Sequence, residues 1–130
     1  MAQSILIHLA NGFEEVEAIT IIDVLRRANL NVRTVSVTGD LKVTGAHQVQ
    51  VMADILFEEA DYPNAGMLIL PGGMPGATNL RADQRVCDVV CEFAATKHVA
   101  AICAAPFILG ELDLLEGRRA TCFPGFEKSF

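Results

Sequence analysis

Apolar residues come along this chain in short blocks, and the spacing inside each block predicts the element it forms. Ile5 to Ala10 is almost uninterrupted and stops at Asn11-Gly12, the pattern of a strand buried on both faces that ends in a loop. A helix follows: Glu14, Glu15 and Glu17 crowd its first turn, Arg26-Arg27 sit in its last, and Asn29 closes it, as the helix dipole prefers. Val32 to Val37 is the next strand, which makes a βαβ unit with a right-handed crossover. Between Leu41 and Ala53 the texture changes to alternation, Val43 before Thr-Gly-Ala-His47 and then Gln48-Val-Gln-Val-Met52, which predicts a hairpin with one wet face.

Leu56 to Asp61 is expected to form a short acidic helix, and Met67 to Leu70 a further buried strand before Pro71-Gly72-Gly73. From Asp83 to Lys97, Val86, Val89, Val90, Phe93 and Ala94 recur at helical spacing. Cys87 and Cys91 lie one turn apart on that helix and are expected to flank the core. Val99 to Ile102 is a strand that delivers Cys103 and turns at once into Ala104-Ala105-Pro106, where proline suits a helix's first turn. Arg119 to Phe126 is expected to give another strand followed by a turn.

Composition narrows the class. The 130 residues are 52% hydrophobic but only 6% aromatic, with no Trp, so the core is built from Val, Ile, Leu and Ala, as when helices cover both faces of a parallel sheet. A single domain over residues 1–130 is expected, since no repeat or linker divides the chain. The net charge of −6 and the scatter of basic residues argue against nucleic acid as a partner. No apolar run reaches the roughly 18 residues of a membrane span. The four cysteines lack the CxxC spacing of a metal site, and no leader of the secretory kind precedes them, so reduced thiols, a cytoplasmic setting and no metal are expected.

Three loops follow three apolar strands: Asn11 to Glu17, Pro71 to Gly76, and Cys103 to Pro106. In an open parallel sheet they gather at the carboxyl ends of the strands, where ligands bind. A cysteine at such an elbow stands above the sheet beside free backbone N–H groups, which favour thiolate; the competing reading is a small buried hydrophobe. Gly72-Gly73 lets backbone N–H groups approach a developing oxyanion, with the N–H of Ala104 as a further donor, whereas a plain turn would need the same residues. Glu17, one turn beyond Glu14, is placed to exchange a proton with Cys103, while Glu14 and Glu15 are explained by the helix dipole at the surface. His8 and His98, within or at the start of strands, read as structural. His47, at the hairpin tip, is the histidine expected to touch a ligand or a partner subunit.

Asn11-Gly-Phe-Glu-Glu-Val-Glu17, Leu70-Pro-Gly-Gly-Met-Pro-Gly-Ala-Thr-Asn-Leu80 and Ala101-Ile-Cys-Ala-Ala-Pro106 together resemble the ThiJ/PfpI superfamily, in the branch that holds deglycases, over nearly the whole chain. The resemblance implies a flavodoxin-like three-layer α/β/α sandwich, like that of class I glutamine amidotransferase domains, and a homodimer. It implies that Cys103 is the nucleophile, Glu17 its hydrogen-bonding glutamate, and Gly72, Gly73 and Ala104 the oxyanion donors. Ala104 stands where the protease-like branch has a histidine, and Phe123 where some members keep another, so a Cys-His protease is disfavoured. Family chains also normally continue for about one more strand-and-helix layer, so a C-terminal portion is expected to be missing. The function implied is a cofactor-free cysteine enzyme acting on small reactive carbonyls such as methylglyoxal; the alternative is a redox-sensing, stress-protective protein or chaperone using the same cysteine. The resting pair is expected to be a neutral Glu17 beside a Cys103 thiolate.

Overall fold

The computed structural model describes residues 3–130. Five parallel strands form its main sheet in the order β5-β2-β1-β6-β7: β1 Ser4–Leu9, β2 Val32–Ser36, β5 Ile55–Leu56, β6 Ala65–Leu70 and β7 His98–Ala101. The register pairs Ile7 with Thr34 on one side and with Ile69 on the other. Strand alternation sends side chains to two separate cores. On one face Leu6, Val35, Leu68 and Leu70 pack with Leu80, Val86, Val90, Phe93 and Ile108. These come from α2 (Gly76–Ala82), α3 (Gln84–Thr96) and α4 (Pro106–Glu111). On the other face Ile7, Leu9 and Ile69 meet Phe13, Ala18, Val43 and Ala53. That side is covered by α1 (Glu15–Arg27) and by the antiparallel ribbon of β3 (Lys42–Thr44) and β4 (Gln50–Met52). An apolar groove of about 400 Å³ stays open between α1 and β7, lined by Ile21, Val24, Met67, Ile69 and Ala100.

Local signals account for most boundaries. Arg26 and Arg27 end α1, and Asn29 takes the left-handed conformation just beyond it, with φ 62°. Asp83 caps α3 by accepting from the Arg85 N–H.

Three expectations are corrected. Residues 55–61 form the two-residue β5 and a 3₁₀ turn at Phe57–Glu59, because Val35 and Ser36 offer Ile55 and Leu56 a free sheet edge. The segment 76–82 is the helix α2, which begins where the expected glycine loop ends and buries Ala77 and Leu80. No strand forms over 119–126. Its Phe123 N–H makes a single 2.8 Å bond to the Cys103 carbonyl, and Pro124-Gly125 interrupts any ladder before the 3₁₀ turn at Glu127–Ser129. On α3, Cys87 is buried as expected, whereas Cys91 is exposed.

Candidate active site

The strand-to-helix turn is sharp enough to strain its central residue. Cys103 adopts φ 61°, a left-handed conformation that non-glycine residues rarely take. The strain is held by packing: Ala104, Ala105 and Pro106 are buried behind it, and its carbonyl is tied to Phe123. The side chain is half-buried at the carboxyl end of the sheet, as a nucleophile elbow requires.

Gly72 brings the three loops together. A Cβ at this position would sit 2.6 Å from Glu17 Oε1, 2.8 Å from the Cys103 Cβ and 2.9 Å from the Ile102 carbonyl, so no other residue fits without displacing backbone. Its carbonyl accepts from the Glu14 N–H at 2.9 Å, and its own N–H donates to Glu17 Oε1 at 3.0 Å. This last bond fixes the carboxyl group against the cysteine. It also commits the Gly72 N–H to Glu17. Gly73 has φ 95°, and a Cβ there would run into the Glu14 N–H.

The electrostatics run against the expected thiolate. Burial pushes the Cys103 thiol up, and the hydrogen bond and charge of Glu17 push it further; the Ala104 N–H on sulfur opposes them, and Glu14 adds to the rise. The elbow's N–H is therefore outweighed by burial and the two glutamates, and the net shift of the thiol is upward.

Glu15 was read as surface decoration, and the structure places it in the interior. Its side chain is 9% exposed; Oε2 accepts from the His47 N–H at 2.7 Å and the Val49 N–H at 3.2 Å, while Oε1 lies 2.8 Å from His47 Nδ1. Burial resists its ionisation, but the His47 hydrogen bond and the backbone donors prevail and draw it down to about 2. Gly45 packs directly on this carboxyl group. The hairpin pattern could have signalled the contact, since it placed Gly45 to His47 in a turn that something had to hold. His47 itself is 71% exposed and is raised by the Glu15 hydrogen bond, then by the charges of Glu15 and Glu14, the latter 3.6 Å away. The charge of Glu14 thus bears on both Cys103 and His47. Phe123 is exposed near the elbow and has no group for proton transfer.

A model of the DJ-1/PfpI family matches residues 3–130. The chain belongs to the DJ-1/PfpI family. It is 38% identical over 122 residues to the protein DJ-1 homolog B of Arabidopsis thaliana, covering 92% of this chain and 28% of that one. It is 33% identical over 124 residues to a protein of Pyrococcus abyssi named as a deglycase, covering 95% of this chain and 74% of that one. The structure of Toxoplasma gondii DJ-1, described as oxidized, superposes with a TM-score of 0.93 at 36% identity, covering 99% of this chain and 71% of that one. The chain thus spans less than a third of the Arabidopsis relative and about seven-tenths of the Toxoplasma one. The fold is the flavodoxin-like α/β sandwich of this family. Among the described residues no helix is long and apolar enough to cross a membrane.

Proposed function

We propose that the chain carries a cofactor-independent cysteine site that converts small reactive carbonyls, in the manner of a glyoxalase or deglycase. The observation that carries this reading is the strained Cys103 elbow, held within one packed cluster by Gly72 and Glu17. An aldehyde carbon is attacked by the Cys103 sulfur as the thiol proton passes to Glu17. The Gly73 and Ala104 N–H groups stabilise the resulting oxyanion, which is protonated to a hemithioacetal. For methylglyoxal, Glu17 then moves a proton from the thiol-bearing carbon to its neighbour, and water releases lactate and the free thiol. The deglycase name of the Pyrococcus abyssi relative supports the substrate class. Lactate production from methylglyoxal tests the reading: it is expected to fall at least about a hundredfold in both Cys103→Ala and Glu17→Gln, the scale of lost nucleophilic and acid–base catalysis. Unchanged turnover in either variant overturns it.

A second reading, oxidation of Cys103 as a signal, is supported by the partial exposure of the thiol and by the oxidized state described for the Toxoplasma relative. Mass spectrometry after limiting peroxide would then find oxygen on Cys103 before Cys87, Cys91 or Cys122, with no carbonyl turnover.

A homodimer in the cytoplasm belongs to the same proposal. Val16, Ile19, Val49 and Met52 are exposed apolar residues on α1 and the ribbon, and Ile19 and Met52 line one cleft. Light scattering of Ile19→Glu/Met52→Glu is expected to give monomers where the parent gives dimers; a monomeric parent removes this part.

A further inference from the structure

Two carboxylates and an imidazole meet where the amino end of α1 touches the hairpin turn. One ligand atom from each of Glu14, Glu15 and His47 lies within 4.8 Å of the other two. The approach is not a loose acidic patch, because each carboxylate is aimed by backbone. Glu14 Oε1 accepts from the Val16 N–H at 2.8 Å, and Glu15 Oε2 from the His47 and Val49 N–H groups. That leaves one oxygen of each, Glu14 Oε2 and Glu15 Oε1, facing the same ring nitrogen, at 3.6 and 2.8 Å. Outer-shell hydrogen bonds that orient the ligands are what metal sites demand.

We propose that Glu14, Glu15 and His47 form a binding site for a divalent transition cation. Metal–nitrogen and metal–oxygen bonds of about 2.0–2.2 Å set ligand separations of roughly 3–3.5 Å in a tetrahedral shell, which the observed spacings bracket. Glu15 Oε1, on a side chain only 9% exposed, already stands 2.8 Å from His47 Nδ1, so the buried carboxylate fixes one side of the site. A cation seated there is held by the imidazole nitrogen and balanced by the two carboxylates. The half-open position of His47 leaves the remaining coordination to water. The donor set of nitrogen and oxygen without sulfur suits Zn²⁺, Co²⁺ or Mn²⁺.

Cobalt is the probe, since its spectrum reports the donors. The reduced full chain is titrated with Co²⁺ at neutral pH and followed by its visible spectrum. One cation per chain and visible bands without sulfur-to-cobalt charge transfer are expected. His47→Ala and Glu14→Gln are each expected to weaken binding roughly tenfold or more, while Cys103→Ala binds as the parent does. Both ligand variants keep the backbone bonds from His47 and Val49 to Glu15, and circular dichroism confirms that they fold. A charge-transfer band from sulfur, loss of binding in Cys103→Ala, undiminished binding in His47→Ala, or no binding by the parent at millimolar Co²⁺ overturns the site.

Discussion

At the scale of the residue, Cys103 is governed by competing charges. An elbow with a free N–H ought to yield a thiolate, and that much was legible in Ile102-Cys-Ala-Ala-Pro106. The two carboxylates that outweigh the N–H were legible only as residues of a helix start, because their distance from sulfur depends on Gly72, which joins loops 55 residues apart in sequence. The consequence reverses the expected sign of a substitution. Glu17 raises the thiol both by accepting its hydrogen bond and by its charge, so Glu17→Gln removes the larger of the carboxylate influences and is expected to make Cys103 alkylate at lower pH than in the parent. Iodoacetamide rates measured against pH, with Cys103 followed by peptide mass, test this. A shift to higher pH would instead mean that Glu17 is protonated and donating to sulfur.

At the scale of the element, the parallel strands and the two long helices were legible because their apolar periodicity is strong and their ends carry charge or Asn29. The short pieces were not. β5 exists because β2 presents an edge, and the failure of residues 119–126 to form a strand reflects the lack of a matching ladder, neither of which a local pattern contains. The ribbon shows the same limit: its hairpin was predicted, but its anchor is Glu15, a glutamate that local rules send to the surface. Removing that anchor leaves two backbone N–H groups and an imidazole without their acceptor. Glu15→Ala is expected to cost about 1–3 kcal/mol in urea unfolding and to speed amide exchange at His47 and Val49 before it does so in β1 or β6. Equal exchange in the two regions would mean that the ribbon is held chiefly by Val43 and Val51 packing.

At the scale of the whole molecule, stability between about pH 6.5 and 4 turns on one ring in the core. His8 is fully buried on β1, its Nε2 2.8 Å from the Tyr62 hydroxyl and its ring stacked on Tyr62 at 5.8 Å between centroids. Burial disfavours the imidazolium and lowers His8 from 6.5 to about 4, against weaker opposing contributions from backbone of Ile69 and Leu6 and from Asp83. Between those two values the unfolded chain binds a proton that the folded chain refuses, so stability is lost as pH falls from about 6.5 toward 4. The loss reaches about 3 kcal/mol, at 1.36 kcal/mol per pKa unit. Glu15, drawn down to about 2, also loses its contribution as pH falls, but through the ordinary glutamate range toward 2 and so mostly below the His8 window. Asp54 and Asp83 are held low, so their contribution disappears only as pH falls below the ordinary carboxylate range, and the raised His47 works in the opposite sense, losing stability as pH rises, from a largely exposed ring. His8→Gln keeps a polar partner for Tyr62 without a titrating ring. Its stability at pH 7 is expected to be lower than the parent's, but its loss between pH 6.5 and 4.5 in urea titrations is expected to shrink by about 2 kcal/mol. An undiminished loss over that window would place the acid-sensitive group elsewhere in the fold.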